Sequence, residues 1–147
     1  MEKTKKNLKC MSVLILVLAA ISLVRVILSV VLTDFAPDKL PAGTTEGVVL
    51  ASQIIMCVFG LALLVPQIYV GLKGIKISND SVSSTKAPVV WAIILAILSA
   101  LSLISPVSNL IQNGITVGYV LELVDFALDV IIYLAYIKYA NEILKAA

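Results

Sequence analysis

Apolar residues run almost unbroken through four stretches of the chain, and polar residues are confined to the gaps and to a thin stripe within each run. The runs cover about residues 10–32, 48–72, 87–111 and 117–137. Each has the ~20 residues that a helix needs to cross ~30 Å of hydrocarbon. The gap 33–47 is punctuated by Pro37, Pro41, Gly43 and Gly47 and reads as a loop. The gap 73–86 carries Asn-Asp-Ser-Val-Ser-Ser-Thr and shows no helical pattern. The gap 112–116 is a tight turn signalled by Asn113-Gly114. The pattern predicts an all-α protein: one membrane domain over residues 1–147, a four-helix bundle of antiparallel, up-down-up-down spans. Pro88 suits the first turn of the third span. Pro66 and Pro106 fall inside spans and predict kinks.

Within each run, small and polar residues recur every three or four positions. The stripe holds Ser12, Ala19, Ser22, Arg25 and Ser29 on the first span, and Gln53, Cys57, Gly60, Leu64, Gln67, Gly71 and Gly74 on the second. It holds Ala92, Ala96, Ser99, Ser102, Pro106 and Asn109 on the third, and Gly118, Glu122, Asp125 and Asp129 on the fourth. Residues at that spacing share one helix face. Small residues let membrane helices approach, and Ser, Asn and Gln bond across them. The spacing also matches left-handed bundle packing. Packing alone accounts for most of the stripe, with Ser22, Gln53, Gln67, Ser99 and Asn109 as its polar lining.

Composition sharpens the membrane reading. Hydrophobic residues make up 61% of the 147, charged residues only 14%, and the mean hydropathy is +1.08. A soluble domain is nearer 45–50% apolar and about 25% charged. No basic cluster with interleaved aromatics is present, which argues against a nucleic-acid partner. Histidine is absent, so the commonest metal ligand and the usual neutral-pH base are missing. No cofactor, metal site or catalytic residue is expected. Cys10 and Cys57 fall at different depths and read as lone thiols rather than a disulfide.

Lysine placement sets the orientation. With the N-terminus inside, Lys3, Lys5, Lys6, Lys9, Lys73, Lys76, Lys86, Lys138 and Lys145 are all cytoplasmic, and Lys39 alone is external. Both termini are thus placed inside a plasma membrane, with 33–47 and 112–116 outside and 73–86 inside. Trp91 and Tyr139 then sit near the inner interface. The sequon Asn79-Asp-Ser81 falls on the cytoplasmic side and stays bare. A secretory leader is the competing reading of the N-terminus, with Ala20-Ile-Ser22 as its cleavage site. The apolar run continues ten residues past that site, which favours a retained span.

The last span is the unusual one. Glu122, Asp125 and Asp129 lie on one face, while Leu121, Val124, Leu128 and Ile131 face the other way and suit lipid. A charge at the centre of a spanning helix costs about 2.5–3.5 kcal/mol on insertion scales. The acids must therefore be paired, protonated or bathed in water inside the bundle. At ~1.5 Å per residue, Arg25 lies roughly 12 Å below the outer surface, Glu122 roughly 10 Å and Asp125 roughly 15 Å. Register thus makes Arg25 the partner of Glu122 or Asp125, a buried ion pair. One positive charge against three acids leaves −2 if all are ionised. Either one or two carboxyls hold a proton, or a cation or a partner helix neutralises them. Asp125 and Asp129 form the candidate proton or cation site, with Asp129 the unpaired member and Ser22, Cys57 and Ser99 its neighbours by depth.

Four spans, a lysine-rich start and the exit Gly71-Leu-Lys-Gly-Ile-Lys76 resemble uncharacterised small four-span membrane proteins of Gram-positive bacteria. The likeness is one of architecture along the whole chain, implies a bacterial source and brings no functional residue with it. Minimal loops and no catalytic constellation suggest a structural or accessory subunit in the bilayer, docked on a membrane-protein partner or on copies of itself. The alternative is a small transporter or ion or proton conductor using the intramembrane carboxylates. An enzyme is not expected. An open, wet cavity at Arg25, Asp125 and Asp129 favours transport, and a dry, fully bonded cluster favours scaffolding. The lysine bias predicts that a reporter active only outside the cell is silent when fused after Ala147 and active when inserted at Gly43.

Overall fold

In the computed structural model, residues 1–32, 43–79 and 85–146 are described, and among them every regular element is helical. The elements are α1 (Glu2–Val31), α2 (Glu46–Asn79), α3 (Ala87–Ser102), α4 (Ile104–Asn113) and α5 (Val117–Ala146). α1, α2 and the α3–α4 pair are each long and apolar enough to cross a membrane. α5 is equally long, at 30 residues, but its acids and lysines keep it from meeting the same standard.

The helices outrun the apolar runs. Residues 73–79, read above as linker, are the last turns of α2. The reason is packing: Val70, Gly74, Ile77 and Ser78 continue one buried face, while Lys73 and Lys76 leave by the other side. Lys73 reaches back over the Tyr69 ring, its Nζ 5.9 Å from the centroid, as a long cationic stem does at an interface. Residues 2–9 and 138–146 are likewise helical, and α2 begins at Glu46, inside the stretch read as the loop 33–47. Positions 33–42 and 80–84, with Lys39 and most of the sequon, lie outside the described residues.

The two internal prolines behave differently. α2 runs without interruption through Pro66. The predicted single span 87–111 instead breaks at Leu103, between α3 and α4. Pro106 has no N–H for the Ser102 carbonyl and crowds it. Leu103 tightens accordingly, its N–H bonding to the Ala100 carbonyl at 3.2 Å. α4 then extends to Asn113, so the turn predicted over 112–116 shrinks to Gly114–Thr116. Gly114 takes φ 81° there, a conformation open to glycine and costly for most other residues.

Packing is lopsided. Nearly all buried side chains belong to one half of the molecule: Leu8, Ser12 and Ile15 on α1, Val70 and Ile77 on α2, Val89 and Ala92 on α3, Tyr133, Tyr136, Ala140 and Ile143 on α5. Glycines make this half tight. A Cβ at Gly71 would lie 2.6 Å from Leu16 Cγ, and one at Gly74 would run into both Ser12 and the Tyr136 ring. The Tyr136 hydroxyl crosses that contact and donates to the Val70 carbonyl oxygen at 3.1 Å. The serines mostly do not bond across helices as expected. Ser12 donates to the Leu8 carbonyl and Ser102 to the Leu98 carbonyl, each within its own helix, the usual back-bond of a helical serine. In the other half, α2 approaches α1 closely at Gly60, where a Cβ would meet Val26 Cγ2 at 2.7 Å. Elsewhere that half opens: Met56, Phe59, Ile111, Val117 and Leu121 are all exposed.

Gly74→Val should therefore lower unfolding stability by about 1–3 kcal/mol, the scale of overpacking a tight contact. Gly118, whose Cβ would meet nothing within 4 Å, should gain about 0.5–1 kcal/mol on change to Ala. Thermal unfolding of the two variants in detergent separates these outcomes.

Candidate functional site

The acids of α5 meet α1 where the tight half ends. Arg25 Nη1 donates to Asp125 Oδ2. Both lie on the stripe, at the level where helix lengths bring α1 and α5 abreast. Glu122 is not part of this pair; it is exposed, one turn nearer the start of α5. Asp129, one turn the other way, has no ion pair and no hydrogen bond among the described residues. The charges acting on it are those of Asp125 and Arg25.

Two hollows flank the pair. The inner one, ≈ 200 Å³, is bordered by Ser22, Arg25, Gln67, Ser99, Asp125 and Asp129 on its polar side and by Leu63, Leu95, Leu98 and Phe126 on its apolar side. The outer one, ≈ 610 Å³, is bordered by Arg25, Met56, Ser105, Pro106, Glu122 and Asp125. Arg25, Ser102, Asp125 and Phe126 border both, so the ion pair stands between them. Arg25 is the most open member, with 59% of its side-chain surface accessible against 27% for Asp125. A guanidinium that open needs water or a polar partner, because lipid contact carries the insertion cost given above.

Tyr133, which follows Asp129 by four residues on α5, is fully buried and borders neither hollow. The Tyr133 hydroxyl and the Gln67 Oε1 are both buried without a hydrogen-bond partner among the described residues. The Gln67 side chain is the hydrogen-bonding neighbour of that hydroxyl, and the Asp129 charge also acts on it. A buried polar group left unpaired costs about 1–3 kcal/mol, so a small shift that pairs these two neighbours is favoured.

No protein-family model, curated protein or solved structure matches the chain. The geometry alone carries the functional argument. It brings Arg25, Asp125, Asp129, Ser22, Gln67 and Ser99 around one hollow. It leaves the rest of the polar lining elsewhere: Gln53 and Cys57 border a separate apolar groove beside Val30, and Asn109, half-buried on α4, borders neither hollow. Cys10 and Cys57 are both free thiols. Tyr133 and Phe126 were not among the candidates. Tyr133 falls four positions after Asp129 and three before Tyr136, so the spacing admits it, but an aromatic in an apolar run reads as packing.

If the pair acts as a unit, Arg25→Leu and Asp125→Leu should each destabilise the fold, and the double variant should lose less than their sum. The expected coupling is of order 0.5–1 kcal/mol, the range for partly open pairs. A double-mutant cycle on unfolding in detergent measures it, and zero coupling means that the two side chains act independently.

Proposed function

We propose that the chain is a small four-span plasma-membrane protein of the transporter type, which takes up a proton or cation at Asp129 through a polar hollow reached from one side. Three helices already have the length and apolarity of spans. α5 becomes the fourth by turning its acids toward the hollow, with Leu121, Leu128 and Ile131 exposed on its other side. Residue pairs support the up-down arrangement: Val26 meets Gly60, Leu16 meets Gly71 and Ser12 meets Gly74, so the numbering falls on α1 as it rises on α2.

The observation that carries the proposal is Asp129 without a partner on the wall of a hollow. A scaffold needs its intramembrane charges neutralised. A carrier needs one left free to be neutralised by its cargo, and an ionisable residue within a span is by default a functional group. The buried Tyr133 and the close crossing at Gly74 oppose a permanent through-channel. They fit a site that opens to one face at a time.

The accessory-subunit reading retains one specific support. An apolar groove of ≈ 490 Å³ lies between α2 and α3 beside Phe59, Val65, Pro66 and Trp91, a shape that suits a partner helix as well as a lipid chain.

The two readings differ in flux. In liposomes under an imposed proton gradient, the protein should speed collapse of the gradient, and Asp129→Asn should remove the effect while Gly118→Ala keeps it. Collapse at the protein-free rate, or equal rates for wild type and Asp129→Asn, rejects transport and leaves the accessory reading.

A further inference from the structure

We infer that the inner hollow receives a small organic cation, a protonated primary amine bearing an apolar group, rather than a bare metal ion. The inference rests on reading Asp129 as the cation-binding group and adds the class of cation. Its first support is a surplus of acceptors. Asp129 has no ion pair or hydrogen bond among the described residues, and Gln67 Oε1, which borders the hollow, is buried without a hydrogen-bond partner, as is the neighbouring Tyr133 hydroxyl outside it. A small movement could let Tyr133 donate to Gln67. One lone pair of the amide oxygen and the whole Asp129 carboxylate would still be unused, because a carbonyl oxygen accepts twice and a carboxylate only accepts. An ammonium group supplies what is missing: three N–H donors and one positive charge.

The second support is the apolar wall formed by Leu95, Leu98 and Phe126, which border the hollow together with the polar groups. Sites for organic ligands combine mostly apolar lining with a few convergent polar groups. A hydrated inorganic ion has no use for that wall, while the carbon part of an amine does, and the Phe126 ring adds attraction for a cation. The third support is size and ligand count. A cavity of ≈ 200 Å³ holds several heavy atoms, more than a dehydrated ion fills. Among the described residues, no three His, Cys, Asp or Glu side chains gather as metal ligands. Arg25 makes its hydrogen bond to Asp125 and acts on Asp129 only by its charge, leaving the Asp129 oxygens open to a donor.

The test is calorimetric titration of the full chain in zwitterionic nanodiscs, with empty nanodiscs as baseline. Benzylammonium is the probe, benzyl alcohol the uncharged probe of the same shape, and sodium chloride the inorganic cation. Benzylammonium should bind at one site per chain, benzyl alcohol and sodium at least about tenfold more weakly. Asp129→Asn and Gln67→Leu, each checked for unchanged helical circular dichroism, should weaken benzylammonium by about tenfold or more, the scale of one hydrogen bond to a charged group. Equal affinity for the alcohol, tighter binding of sodium, or a wild-type affinity in Asp129→Asn overturns the inference. Absent benzylammonium binding with proton flux that still depends on Asp129 overturns the amine alone. Loss of both removes the uptake reading as well.

Discussion

A charged group set among apolar side chains must be answered by an opposite charge, a proton or water, and this requirement organises the molecule. Arg25 and Asp125 answer each other, and among the described residues the pair is the ion pair that links α1 and α5. It does not close the account, since Glu122 and Asp129 remain. The fold deals with the surplus by opening. The half that holds the acids is hollow around them, and the half that lacks them is packed on glycine and tyrosine. Surroundings of pure hydrocarbon would not tolerate the first arrangement, and side chains too large for close crossings would not allow the second.

The two halves trace to different residues of the same helices. Along α1 and α2, Ser12, Gly71 and Gly74 remove bulk where the backbones cross, and dispersion between close surfaces holds them. Along α3 and α5, Ala92, Ala96 and Ala140 do the same with less closeness. Beyond Ser99 and Asp125, Met56 and Glu122 join the lining beside Ser102 and Ser105, and the helix is interrupted ahead of Pro106. Contact thins at the level where charge begins.

Much of the helical layout could be read from hydropathy, because an apolar run of ~20 residues has few structural alternatives. Helix ends were harder to read. Residues 73–79 look polar by count, yet Gly74, Ile77 and Ser78 keep a buried face, and that face is visible only once α1 and α5 lie against it. The break at Leu103 was foreseen as a bend at Pro106, displaced by the three or four residues over which proline disturbs the ladder behind it. Within the site, counting residues from the helix ends brings Arg25 near both Glu122 and Asp125 and does not choose between them; the structure pairs it with Asp125. The same count treats all stripe positions alike, and so could not separate Gln67, which faces the hollow, from Gln53 and Asn109, which do not. Tyr133 carried no polar pattern at all. Its unpaired hydroxyl is a property of its surroundings, not of its place in the run.

The interruption at Leu103 has a mechanical side. α4 is only 10 residues long, joined to α3 by one tightened turn, and its first residues Ser105 and Pro106 border the outer hollow. Bending there strains fewer backbone bonds than bending an intact helix. The hollow around Glu122 therefore borders a short helix set off by a broken ladder, whereas Tyr133 sits in the apolar cluster built from α1, α2, α3 and α5. Backbone continuity and close packing thus fall off toward the same end of the molecule.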